Sequence, residues 1–257
     1  MSVAIVVPTN KSALTSDEQI SLAHLRHFLG GYDKYLVLPR SGELHLPDFQ
    51  IKKFDDKFFG SPMANSRLML SEAFYREFSN YKYILIYQLD CLVFSNSLAE
   101  WCEKGYDYIG APWFRTSDLS WRWRYLGPER CGNGGFSLRN VSQCLEVLQR
   151  SHRSRRRLFS LSNKSQVVDF PKTLSLLCRS EFRKLRNEDM WFSFYAQNFL
   201  PTFKIPPADI AVSFAIEISP RYCFEQNNHK LPFGCHAWNR YDREFWEPYL
   251  LTKGTHG

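Results

Sequence analysis

Tyr83-Ile84-Leu85-Ile86-Tyr87-Gln88-Leu89-Asp90-Cys91-Leu92-Val93-Phe94 reads as one buried strand, apolar on both faces, with Gln88 and Asp90 near its end. Under the period-two alternation of a strand, residues 88 and 90 project to the same side. An ionised Asp at the exit of such a strand costs roughly several kcal/mol unless a cation or hydrogen-bond donors meet it. A polar pair in that position suits a metal or a ligand. The other reading has Asp90 capping a following helix at residues 98–104, and the strand by itself leaves both open.

Working outward, residues 3–7 form a β-rich run that ends in Pro8-Thr9-Asn10. Residues 17–29 carry Ile20, Leu22, Ala23, Leu25, Phe28 and Leu29 at helical spacing, and Gly30-Gly31 stops them. A second strand over 34–39 and a third, weaker one over 49–54 complete a β-α-β opening, the signature of a doubly wound parallel sheet. A helix over 65–78, with Leu68, Leu70, Ala73, Phe74 and Phe78 inward, delivers the chain to the 83–94 strand. Downstream come a strand over 106–113, a glycine-rich loop at Cys131-Gly132-Asn133-Gly134-Gly135-Phe136 and helices over 141–150 and 188–198. A short strand over 211–214 follows, and no internal repeat is visible.

The chain has 257 residues, 44% hydrophobic and 16% aromatic, which excludes a disordered protein and points to a single α/β domain over 1–257. No uninterrupted apolar stretch reaches membrane-spanning length. The start runs straight into a strand pattern without a basic leader, so no secretory signal is expected. Seven cysteines without paired spacing favour reduced thiols and a cytoplasmic location over disulfides or a zinc site. The net charge of +7 is local: between Arg150 and Arg186 stand eleven Lys/Arg against two acids, leaving 22 basic and 24 acidic residues elsewhere. A basic loop or insertion at about 150–186 can attract an anionic membrane, a phosphorylated substrate or nucleic acid, or can be a solvated loop.

Several residues could carry chemistry. Asn187-Glu188-Asp189 sets two carboxylates at a helix start, where the macrodipole favours acids; one of them could also serve as a general base toward a hydroxyl. The glycines at 132, 134 and 135 permit either a close backbone approach to a ligand or a turn with positive φ, and no Lys-Ser/Thr follows to make a phosphate-cradling loop. His236, in Phe233-Gly234-Cys235-His236, is either structural or a pocket wall.

Taken in order, the strand-end acid, the Gly-Gly-Phe-Ser-Leu-Arg loop, the Asn-Glu-Asp helix start and the late Phe-Gly-Cys-His resemble the successive motifs of GT-A type glycosyltransferases. More closely, Tyr87-Gln88-Leu89-Asp90, Gly105-Tyr106-Asp107-Tyr108-Ile109-Gly110-Ala111-Pro112-Trp113 and Gly132–Arg139 resemble a poorly characterised, mainly bacterial glycosyltransferase-like family of unknown function. The similarity covers roughly Val3 to Trp246. It implies a single GT-A-like, Rossmann-like domain with a mixed, mostly parallel central sheet flanked by helices.

The resemblance also implies roles. Gln88-Leu89-Asp90 falls at the family's Asp-X-Asp, so Asp90 and His236 would hold a divalent cation, Mn²⁺ or Mg²⁺, with the imidazole favouring Mn²⁺. Gln88 is neutral where the family has an acid; its amide can still bond a ribose hydroxyl, but one carboxylate fewer weakens a cation site. Pro8, Thr9, Asn10, Arg67, Gln88 and Asp90 would bind the donor. Trp113, Asn133, Gly134, Gly135 and Phe136 would meet the sugar or acceptor. Asp189, with Glu188 beside it, would be the base of an inverting transfer from a nucleotide sugar to a glycan or lipid-linked acceptor. The setting implied is bacterial surface polysaccharide synthesis, on the inner face of the cytoplasmic membrane. The rivals are a non-catalytic sugar- or nucleotide-binding protein of the same fold and, with less behind it, a nucleic-acid-binding protein using the 150–186 segment and the aromatics of 121–125.

Overall fold

Alternation of apolar side chains along a few short strands builds this molecule. The structure, a computed structural model, describes residues 2–114, 129–162 and 187–251, with backbone alone over 155–162. In chain order β1 (Val3–Pro8) leads to α1 (Ser16–Leu29), then β2 (Asp33–Pro39) and β3 (Gln50–Phe54). Helices α2 (Pro62–Met69) and α3 (Glu72–Arg76) precede β4 (Tyr83–Tyr87) and β5 (Leu92–Val93). Then come α4 (Leu98–Glu103), β6 (Tyr108–Ile109), β7 (Pro112–Trp113), β8 (Arg130–Cys131), β9 (Phe136–Asn140) and α5 (Val141–Ser162). The chain closes with α6 (Glu188–Phe199), α7 (Ala208–Phe214), β10 (Ala215–Ile216), α8 (Pro220–Gln226), β11 (Gly234–Cys235) and α9 (Arg243–Trp246).

The central sheet has six strands in the order β3-β2-β1-β4-β9-β6. β3, β2, β1 and β4 run parallel; β9 is antiparallel to β4, and β6 antiparallel to β9. This is the mixed, mostly parallel sheet flanked by helices that the motifs implied. Ile5, Val7, Leu85 and Tyr87 face α1 and α4, packing on Leu22, Leu25, Leu29 and Trp101. Their strand neighbours Ala4, Val6, Ile84 and Ile86 face Leu68, Phe74 and Phe78 from α2 and α3, Val147 from α5 and Phe192 from α6. Burying each large aliphatic side chain contributes about 1.5–3 kcal/mol, so both faces of β4 hold the sheet. A second, three-stranded sheet, β10-β11-β5, sits beside the first, with a third cluster of Leu92, Val212, Ile216, Trp238 and Trp246.

Five expected elements are redrawn, the first being the strand expected over 106–113, which divides into β6 in the central sheet and β7, paired with β8 in a two-stranded sheet of its own. The strand read over 83–94 stops at Tyr87: Cys91 N–H turns back to the Gln88 carbonyl at 3.0 Å, and β5 then joins the other sheet. The helix expected over 65–78 is two helices, because Ser71 Oγ accepts the Phe74 N–H and starts a new one. Residues 211–214 are helical, since buried Ala208, Ala211 and Val212 follow helical spacing after Pro207. The helix expected over 141–150 continues to Ser162, so the basic segment begins inside α5. Residues 163–186, the rest of that segment, and the aromatics of 121–125 lie outside the described residues. The six cysteines described are buried and free, and among the described residues no helix is long and apolar enough to cross a membrane.

Candidate active site

The carboxyl ends of β1 and β4 form one wall of a cleft of about 550 Å³, the position where open parallel sheets place ligands. Pro8, Thr9 and Asn10 follow β1 into it; Gln88 and Asp90 follow β4. Gly134 and Gly135 precede β9, Asn187 to Asp189 open α6, and Glu217, His236 and Arg240 come from the small sheet and the loop beyond it. Asp90 does not cap α4, whose N-cap is Ser97; it faces His236 instead.

His236 is the centre of this group. Its Nε2 lies 3.1 Å from Gln88 Oε1 and 3.4 Å from Asp90 Oδ1, while Nδ1 lies 2.7 Å from Glu217 Oε1. Burial acts to lower the imidazole, but the bonds to Asp90 and Glu217 prevail and hold it at about 10. Asp90 is likewise drawn below the usual carboxylate range, its bond to His236 outweighing the upward push of burial.

The donor set fits a divalent cation that would displace the Nε2 proton: a carboxylate oxygen and an amide oxygen stand 3.4 and 3.1 Å from the imidazole Nε2, a mixture suited to Mn²⁺. Cys91 Sγ also stands within 4.8 Å of the Asp90 and His236 ligand atoms. It is a poor ligand, because burial pushes the thiol well above its usual range and it donates to the Gly135 carbonyl at 3.3 Å.

Glu188 and Asp189 take different surroundings at the start of α6. Glu188 turns inward, accepting from Ser66 Oγ at 2.6 Å and from Arg139 Nη2 at 3.2 Å. Arg139 is fully buried against the Tyr108 and Phe192 rings, which stack on each other, and also donates to Tyr75 Oη and Ser137 Oγ. Its ion pair with Arg139 and the Ser66 bond anchor Glu188 at the cleft wall. Asp189 stays at the cleft; burial first, then the Glu188 and Glu217 charges, raise its carboxyl to about 7. A carboxylate with that poise is a suitable base at neutral pH.

The glycine loop serves the protein's own side chains. Asn133 takes the positive φ (70°), and its Oδ1 clasps the Gly135 and Phe136 N–H groups at 2.8 and 3.0 Å. A Cβ on Gly134 would fall on the Glu188 carboxylate, and one on Gly135 on the His236 ring. Gly134 and Gly135 do line the cleft, as expected of sugar-facing residues. Asn133 is buried as the loop's clasp. Phe136 is core, packed on Phe214 and Phe233, because an inward position of β9 puts it under the sheet. Trp113 stacks on Phe194 and covers Gly132. Arg67 points away from buried Ser66 and donates to the Lys57 carbonyl at 3.2 Å. Among the described residues Asn133, Phe136, Trp113 and Arg67 do not line this cleft.

Ser66, Arg139, Glu217 and Arg240 were not singled out from the sequence. Arg139, a charge inside an otherwise apolar strand, and Glu217, an acid after the apolar run Phe214-Ala215-Ile216, carry the same signal that marked Asp90.

Fold and cleft together define an α/β protein whose candidate site lies at the carboxyl ends of a mostly parallel sheet. Over residues 48–236 the chain matches the family described as "Protein of unknown function (DUF5672)", and it belongs to that family. A search of curated protein sequences finds no match. Among solved structures, it is similar to a glycosyltransferase involved in the glycosylation of the major capsid of PBCV-1, at 11% identity and a TM-score of 0.50, over 97% of this chain and 98% of that one. It is also similar to the apo-form glycosyltransferase GlyE of Streptococcus pneumoniae TIGR4, at 15% identity and a TM-score of 0.45. That alignment covers 98% of this chain, which spans 61% of the length of GlyE. The likeness to the PBCV-1 glycosyltransferase, at 11% identity, is one of fold.

Proposed function

We propose that this protein transfers a sugar from a nucleotide-sugar donor to an acceptor hydroxyl, with inversion at the anomeric carbon. The observation that carries the proposal is the meeting, in one cleft, of the Asp90–His236 pair and of Asp189, a carboxyl raised to about 7. Asp90 and His236, with the Gln88 amide beside them, would hold Mn²⁺ or Mg²⁺. The cation would supply charge neutralisation for the departing diphosphate. Asp189 takes the acceptor proton as the hydroxyl attacks. Pro8, Thr9 and Asn10 border the nucleotide, and Gly134 and Gly135 leave backbone open to the sugar. Glu188 keeps Asp189 in place through Ser66 and Arg139.

The Arg-rich 150–186 segment supports docking on the anionic inner face of a cytoplasmic membrane, where a lipid-linked acceptor resides; the resemblance suggests surface polysaccharide assembly as the process. A second reading, a non-catalytic sugar- or nucleotide-binding protein, is favoured by Gln88 alone, the neutral residue in the acidic motif.

Incubation with a panel of nucleotide sugars, acceptors and Mn²⁺ tests the proposal. Transfer by the wild type is expected to fall by about 10²–10⁴-fold in Asp189→Asn, the usual contribution of a general base. Equal transfer by the variant would remove Asp189 from that role. Donor binding without turnover across the acceptors would favour the second reading.

A further inference from the structure

We infer that Glu217 is the positioning residue of the site: its carboxylate holds the Nδ1–H of His236, so that the proton a cation would displace is the one on Nε2, beside Asp90. The inference rests on the assignment of Asp90 and His236 as cation ligands.

Two groups compete for His236 Nδ1. Glu217 Oε1 stands 2.7 Å away, and Asn133 Nδ2 stands 3.1 Å away. The orientation of the Asn133 amide is set, because its oxygen accepts the N–H groups of Gly135 and Phe136; what it turns to the ring is therefore its NH₂. That donor calls for a lone pair on Nδ1. A neutral ring obeying it would carry its proton on Nε2, aimed at Gln88 Oε1 and Asp90 Oδ1, where it would block a cation. Glu217 calls for the opposite arrangement. Its bond is shorter and its acceptor is ionised, and charge-assisted bonds are the stronger class.

The backbone holds the pair in place. β10 and β11 run parallel with Ala215 opposite Gly234 and Ile216 opposite Cys235, which carries the register directly to Glu217 and His236. His236 N–H donates to the Ile216 carbonyl at 3.0 Å, extending the ladder by one more bond. Gly135 lacks the Cβ that would displace the ring. Glu217 therefore reaches His236 through the sheet. An imidazole ligand oriented by a carboxylate on its far nitrogen is the general outer-sphere device of metal sites.

The test is titration of the full chain with Mn²⁺ alone, followed by electron paramagnetic resonance, for wild type, Glu217→Ala and Glu217→Gln. Glu217→Ala is expected to bind about 10–100-fold more weakly, and Glu217→Gln, a neutral acceptor, to lose an intermediate amount. Proton NMR of the metal-free wild type should show a hydrogen-bonded His236 Nδ1–H resonance that is absent from Glu217→Ala. Wild-type Mn²⁺ affinity in Glu217→Ala, or persistence of that resonance, overturns the inference and leaves the cation assignment standing. A wild type that binds no Mn²⁺ overturns both. Should Glu217→Ala fail to fold by circular dichroism, wild-type affinity in Glu217→Gln overturns the inference by itself.

Discussion

At position 189 a carboxyl group keeps its proton to about pH 7 because burial, then the Glu188 and Glu217 charges, disfavour ionisation. Two consequences follow for its pH dependence. As a base it must be ionised, so transfer should rise with pH through about 7 and fall by about tenfold per unit below it. The stability consequence has the opposite sense. In the unfolded chain Asp189 ionises near its ordinary value, so between about pH 4 and pH 7 the unfolded state binds fewer protons than the native one and stability falls as pH rises. Asp189→Asn removes that penalty. Thermal unfolding should show the variant matching wild type below about pH 4 and exceeding it above about pH 7, at about 2–4 °C per kcal/mol for a chain of this size. Equal melting at all pH values would mean that Asp189 ionises normally. Asp90 and His236 were legible in the sequence because each is a polar group set in an apolar segment, and Asp189 because it is an acid at a helix start. The inward turn of Glu188 was not, since its partners Ser66 and Arg139 lie 122 and 49 residues away.

The loop ahead of β9 shows how an element can be read correctly for the wrong reason. Its glycines do signal close approach, yet what approaches is the Glu188 carboxylate and the His236 ring. Gly135→Ala should therefore act on the cation site before it acts on the fold. The backbone at 135 is tied to Asn133 Oδ1, and its carbonyl accepts the Gln88 N–H at 2.9 Å, so the ring must give way. Mn²⁺ titration should show binding weakened by at least about tenfold, the scale of losing a ligand's orientation. Unchanged affinity would mean the ring has room to shift without losing Asp90. Among the other elements, β1, α1, β2 and β3 were legible from periodicity. The end of β4 was not, because the apolar run continues across the turn at Gln88–Cys91 into a strand of another sheet, and composition does not record a change of sheet. Helix α7 was missed because a window begun at residue 211 omits Ala208, the residue that distinguishes helical spacing from a strand.

On the scale of the whole molecule, the site draws on parts that are otherwise separate. Asp90 hangs from the six-stranded sheet, His236 and Glu217 from the three-stranded one, and Asp189 from the start of helix α6. A cation held by Asp90 and His236 would bridge the two sheets and bind only the folded chain. Mn²⁺ at about 100 times its Kd should add about 2.7 kcal/mol, a rise in melting temperature of about 5–10 °C relative to EDTA. The rise should vanish in Asp90→Ala, and its absence in wild type would argue against cation binding by the native state. The class of fold was legible from the order of motifs, while the second sheet, made of two-residue strands, left too short a pattern to read. Those short strands have a bearing on how such a chain can diverge. Because β10 and β11 pair in parallel, the segment joining them beyond Glu217, residues 218–233, closes a crossover in which an insertion or deletion leaves the strand register unchanged. A slip of a single residue within either strand, by contrast, would turn Glu217 or His236 to the opposite side and dismantle the site at one step. In relatives, gaps should collect between these strands and stop at their edges.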